Sequence, residues 1–138
     1  MSSISRSDAL STERHAFYSN YGSSVIKVAA PGGDNGPTYD ASRDLNQRDF
    51  HYRSLSTSLT YLESYFTSNL TSYSLLHGTS MASPKVAGIA GLIKAANPEL
   101  KPAQVAALLQ QTAVDFSKTG NDPYFGGGEA NAFRALTK

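Results

Sequence analysis

The chain has 138 residues, with 12 Lys and Arg against 11 Asp and Glu, three His, no Cys and a formal net charge of +1 at pH 7. Such a balance gives no footing for nucleic acid or for binding to an acidic surface, and the lack of cysteine removes both a disulfide framework and a thiolate metal site. No apolar run approaches the roughly 18 residues of a membrane span, and the opening MSSISRSDAL lacks the charged-then-apolar layout of a signal peptide.

The length suits one domain over residues 1–138, large enough to bury about two-thirds of its unfolded surface. In chain order, the first predicted element is a β-branched strand from Val25 to Ala30, closed by the turn Pro31-Gly32-Gly33. From about Pro37 to Leu76 the chain is polar and dominated by Ser, Thr and Tyr. Asn69-Leu70-Thr71 is a glycosylation-type triplet, a pattern so short that chance explains most occurrences. Beyond it the chain turns helical. Ser80 to about Ala96 carries Val86, Ile89, Leu92 and Ile93 at helical spacing, with Ala and Gly on the other faces. A helix apolar on nearly all sides is expected to be buried. Pro84 lies early in it, where the lost hydrogen bond costs less than mid-helix, and Asn97-Pro98 ends it. A second helix runs from Pro102 to about Thr112 with Val105, Leu108 and Leu109 inward. A Gly126-Gly127-Gly128 turn then leads to a third, Glu129–Leu136.

The run HGTSMASPKVAG, His77 to Gly88, carries the chemistry. It places the hydroxyl of Ser80 between a flexible Gly-Thr step and a helix start, where backbone N–H groups are free and the helix dipole favours negative charge. An oxyanion forming beside the serine would be stabilised there. A lone Gly-Thr-Ser is most often only a helix cap. A phosphate-binding loop fails for want of the second Gly followed by Lys-Ser/Thr. The nucleophile elbow G-x-S-x-G of α/β hydrolases fails because Ala82 stands where the second Gly belongs.

The surrounding residues decide against a mere cap. Gly78, Thr79, Ser80, Met81, Ala82, Pro84, Val86, Ala87 and Gly88 resemble the serine box of the subtilisin-like proteases (subtilases, peptidase family S8). The upstream S-N-Y-G, short strand and A-P-G-G resemble the segment that precedes that box. The fold this implies is α/β: the C-terminal portion of a subtilisin-like three-layer fold, with a mostly parallel sheet and a buried helix after the serine. Two short strands, about Arg53–Leu59 and Tyr73–His77, are implied in the polar zone. The resemblance makes Ser80 the nucleophile and its N–H one oxyanion donor, supported by the Thr79 hydroxyl. Gly78 would admit the substrate backbone. Met81 would flank the nucleophile, where oxidation would inactivate it. Lys85, where many subtilases have His, is expected to be a surface or groove-lining charge. Lys85 and the A-P-G-G-D-N-G-P-x-Y-D run further resemble the lantibiotic leader-processing branch.

The resemblance also exposes a gap. Subtilases order their triad Asp, His, Ser, and the Asp, His and oxyanion Asn boxes are not in this sequence, which is expected to be the C-terminal half of a catalytic domain. Of the histidines, His77 lies three residues before Ser80 but where the family has no base. His15 and His51 have no motif around them. Asp34, Asp40, Asp44 and Asp49 sit in turn-rich sequence expected to be solvated, while Asp8, Asp115 and Asp122 show no partner pattern. No carboxylate set has metal spacing; calcium is implied by the resemblance alone. Loss of the base costs on the order of 10⁶ in turnover, so the isolated chain is expected to be inactive. Two functions follow. One is a serine endopeptidase acting on peptide or protein through an acyl-enzyme on Ser80. The other is a non-catalytic pseudoenzyme, or a complementing half that binds a partner chain such as the N-terminal half. Compartment stays open: the family is often secreted or held at the cell envelope, and this chain carries no address.

Overall fold

The computed structural model describes residues 2–5, 14–36, 49–58 and 73–138. The Asn69 triplet, Asp8, Asp40 and Asp44 lie outside them. Strand β1 (Ser2–Ser5) is central to a three-stranded sheet, flanked by β2 (Arg14–His15) and β3 (Ala29–Pro31). The β1–β2 pair is antiparallel and the β1–β3 pair parallel. Chain length between strands accounts for this, because parallel pairing needs a crossover of about a dozen residues or more. Residues 6–13 are too few for one, whereas residues 6–28 suffice. The mostly parallel sheet expected from the sequence is thus represented, among the described residues, by one parallel pairing. A separate antiparallel hairpin pairs β4 (Ser54–Thr57) with β5 (Tyr73–Leu76), within the two expected spans.

The predicted strand at Val25–Ala30 begins late. Residues 25 and 26 instead donate their N–H groups to Gly22 O, and Val25 is exposed. The register pairs Ser2 with Ala29, so extended pairing starts there. β-branching marked the segment correctly as apolar but could not show where a partner begins.

Helix α1 (Thr79–Ala96) follows β5 after two residues, and α2 (Pro102–Gln111) opens on Pro102 with Lys101 N–H held by Gln104 Oε1 at 2.8 Å. The last helix, α3, spans Ala132–Thr137, capped by Asn131, which accepts from Arg134 N–H. It starts later than expected because the Glu129 backbone bridges to both Ala29 and Val114. One core cluster joins the three helices through Ile93, Val105, Leu109 and Ala135. A second joins Ile4 and Ala29 of the sheet to Phe125.

Helix α1 is less buried than its composition implied. Only Ala82 and Ile93 are fully buried, and Leu92, expected on the inner face, is 51% exposed. The core packs on the face bearing Val86, Ile89, Ala90 and Ile93. Ala87, Gly88, Gly91, Leu92 and Ala95 are exposed, and a Cβ built on Gly88 or Gly91 meets nothing within 4 Å.

The two glycine environments make opposite predictions. A Cβ on Gly32 would lie 2.0 Å from Ser3 Oγ and 2.6 Å from Gly78 O. Gly32→Ala should therefore destabilise the chain by about 1–3 kcal/mol, and Gly88→Ala should stabilise it by about 0.5–1 kcal/mol through helix propensity. Urea unfolding of both variants checks this; equal midpoints would show the crossing at Gly32 to be loose.

Candidate active site

Ser80 is exposed in the first turn of α1. Gly78 precedes the helix with φ of +151°, a conformation side chains rarely adopt, and its N–H donates to Gly32 O at 3.0 Å. Its own carbonyl accepts from the N–H groups of Met81 and Ala82. Among the described residues, the N–H groups of Thr79 and Ser80 find no backbone acceptor, as the open end of a helix requires. Ser80 Oγ donates to Met81 Sδ at 3.6 Å. Gly78, Thr79, Ser80 and Met81 are thus gathered at one helix start, with Ser80 and Met81 on the wall of a cavity of about 310 Å³. The hairpin forms its opposite wall through Ser54, Ser74 and Leu76.

The histidines are placed elsewhere. The His77 ring packs against Tyr18 and Phe17, with centroids 5.4 and 6.0 Å away. His15 meets Tyr124 and Phe125 edge-on. His51 is exposed in a short 3-10 turn, beside a second cavity that Lys85 also lines. Among the described residues no group of three His, Cys, Asp or Glu could hold a metal ion. No helix among them is long and apolar enough to cross a membrane.

Sequence reasoning missed two features. Asp34, expected to be solvated, is fully buried: it pairs with Arg14 and accepts from Gly36 N–H at 2.7 Å. Its partner lies 20 residues upstream, and no local pattern links them. Asp122 is likewise buried, where it accepts from the N–H groups of Tyr124 and Phe125. The second feature is the anchoring of Lys85, which lines the cavity as expected of a groove-lining charge. Its ammonium donates to Pro31 O and to Ser54 Oγ, both at 2.8 Å, and so ties α1 to β3 and the hairpin. A lone cation among uncharged residues at a helix start was the available signal.

A model of the subtilase family matches residues 3–128. The chain belongs to the subtilase family. Thermitase from Thermoactinomyces vulgaris is 31% identical over 130 residues, covering 85% of this chain and 45% of that protein. Among solved structures, a lanthipeptide protease aligns with this subtilase at a TM-score of 0.71 and 30% identity, over 98% of this chain and 41% of that one. The epidermin leader peptide processing serine protease of Staphylococcus aureus aligns at 0.66 and 26%, over 90% of this chain and 28% of that one. This subtilase spans less than half the length of each.

Among the described residues, burial moves two groups, Lys85 and Tyr18, from their ordinary pKa values. Burial lowers the Lys85 pKa from 10.5, partly offset by Glu129. Burial raises Tyr18 from 10.0, against the hydrogen bond from Ser3. For Lys85 the unfolded chain binds the proton more tightly, so its contribution to stability grows as pH rises through the folded pKa towards 10.5. Tyr18 acts oppositely: its proton is held more tightly in the folded chain, and stability falls as pH rises from 10.0 through the raised value. Lys85→Met should remove the first effect. Its stability, followed by urea midpoints, should then lose the upward contribution just below pH 10.5 that the parent shows. Parallel curves would refute the assignment.

Proposed function

We propose that the chain supplies the nucleophile of a subtilisin-like serine endopeptidase, with Ser80 attacking the carbonyl carbon of a peptide bond. The observation that carries this is the exposed Ser80 hydroxyl at the open N-terminus of α1, on the wall of a cavity. Attack transfers the Ser80 proton to a general base and places negative charge on the carbonyl oxygen. The Ser80 N–H accepts part of that charge as a hydrogen-bond donor, and the helix N-terminus favours it. The Thr79 hydroxyl supports the same hole. Collapse of the tetrahedral species expels the amine and leaves an acyl-enzyme, which water then hydrolyses.

A serine hydroxyl is a weak nucleophile without a base. Here Ser80 Oγ donates to a thioether instead of an imidazole. In this reading the base, its orienting carboxylate and the oxyanion side chain come from a further segment, joined or separate. Within the family we favour the lantibiotic leader-processing branch. The likeness to the lanthipeptide and epidermin leader peptide proteases supports it, as does Lys85 after Pro84. A second reading, a non-catalytic module that binds another chain, is favoured by the exposed apolar side of α1.

A fluorophosphonate probe separates them. The purified chain alone should label negligibly, because loss of the base costs about 10⁶ in turnover. Mixed with a segment supplying the Asp, His and Asn boxes of a subtilase, it should label at Ser80, and Ser80→Ala should abolish the signal. A binding module would join the segment without labelling.

A further inference from the structure

Among the described residues, the cavity beside Ser80 is lined by one charged group and no carboxylate. At about 310 Å³ it sits at the lower end of ligand clefts, with room for a side chain but not for a large cofactor. Its lining comes from two elements. The hairpin contributes Ser54 and Ser74, and α1 contributes Ser80, Met81 and Lys85.

Two observations give this space a chemical preference. The first is the orientation of Lys85. Two of its three N–H donors are taken by Pro31 O and Ser54 Oγ, which fixes the ammonium in place and leaves one donor for a ligand. Glu129 acts on the ammonium electrostatically but does not line the cavity. The second is Ser74, which is 5% exposed and whose hydroxyl has no hydrogen-bond partner among the described residues. A buried hydroxyl without a partner is destabilising, and an acceptor in the cavity would supply one. A fixed ammonium from α1 and an unpartnered hydroxyl from the hairpin, both lining this cavity, suit an anionic acceptor, since hydrogen bonds to a charged group are roughly twice as strong as neutral ones. A basic side chain in the same space would face the ammonium.

We propose that this cavity is a subsite for an acidic side chain, Asp or Glu, flanking the peptide bond that Ser80 attacks, with Lys85 as the residue that sets the preference. The proposal rests on the reading of Ser80 as nucleophile. It adds a substrate class: peptides carrying a carboxylate next to the cleaved bond.

The test is a titration of the isotope-labelled 138-residue chain, followed by amide NMR shifts. The probe is a blocked glycine-alanine pentapeptide carrying one Glu, compared with its Gln and Lys counterparts. The Glu peptide should shift the amides of Ser54, Ser74 and Met81 saturably, and the Gln peptide should bind about tenfold more weakly. Lys85→Glu should reverse the order in favour of the Lys peptide, which loss of a merely structural lysine would not do. Ser74→Ala, which leaves the Lys85 tether intact, should weaken the Glu peptide alone. Equal binding of Glu and Gln peptides, an unchanged order in Lys85→Glu, or no saturable shift at these residues overturns the proposal. Intact binding beside a Ser80 that never labels counts against the nucleophile and not against the acidic subsite.

Discussion

The structure depends on a backbone crossing that only glycine permits. Gly78 N–H donates to Gly32 O, and Gly32 N–H donates to Ile4 O. Three segments meet within one peptide width of each other. A side chain at position 32 would occupy space already filled by Ser3 and the Gly78 carbonyl. The end of β3 and the start of α1 are thereby locked together, and the position of Ser80 relative to the sheet follows from that contact.

The lock extends along the whole 31–35 stretch. Pro31 O receives Lys85 and Gly32 O receives Gly78. Gly33 O receives the Tyr18 hydroxyl, Asp34 receives Arg14, and Asn35 Oδ1 receives Arg53 at 2.7 Å. Five consecutive residues thus hold partners from three parts of the chain: Arg14 and Tyr18, Arg53, and the start of α1 with Gly78 and Lys85. A buried ion pair such as Arg14–Asp34 is weak evidence for stability but costly to break on one side. Its value here lies in orientation: it fixes the loop whose carbonyls anchor both the helix bearing Ser80 and the lysine beside it.

What the sequence made legible was local. The three helices follow from apolar spacing, Pro102 at a helix start and Asn97-Pro98 at a helix end. The Gly78–Gly88 run is informative because its chemistry lies within eleven residues of one another. The errors fall where a distant partner decides the outcome. Val25–Ala30 is apolar but pairs only from Ala29, where β1 meets it. Asp34 looks like a turn residue until Arg14 arrives. Glu129 looks helical until Ala29 and Val114 claim its backbone. Leu92 has helical spacing, but the core lies on the other side of α1.

The helical cluster has a consequence for the order in which the site is made. Ile93, Val105 and Leu109 lie within 16 residues of one another, whereas Ala135 joins them from 26 residues beyond Leu109, and contacts of short sequence separation form fastest. The sheet brings β1 to β3 across residues 6–28, a separation like that of Ala135 from Leu109, and the Gly32–Gly78 crossing closes a longer loop still. During synthesis the N-terminal strands emerge first, yet the helix that carries Ser80 gains its full packing only once Ala135 is available. Ser80 reaches its final position only after Ala135 has been added, when the helices dock onto a sheet end already waiting for them.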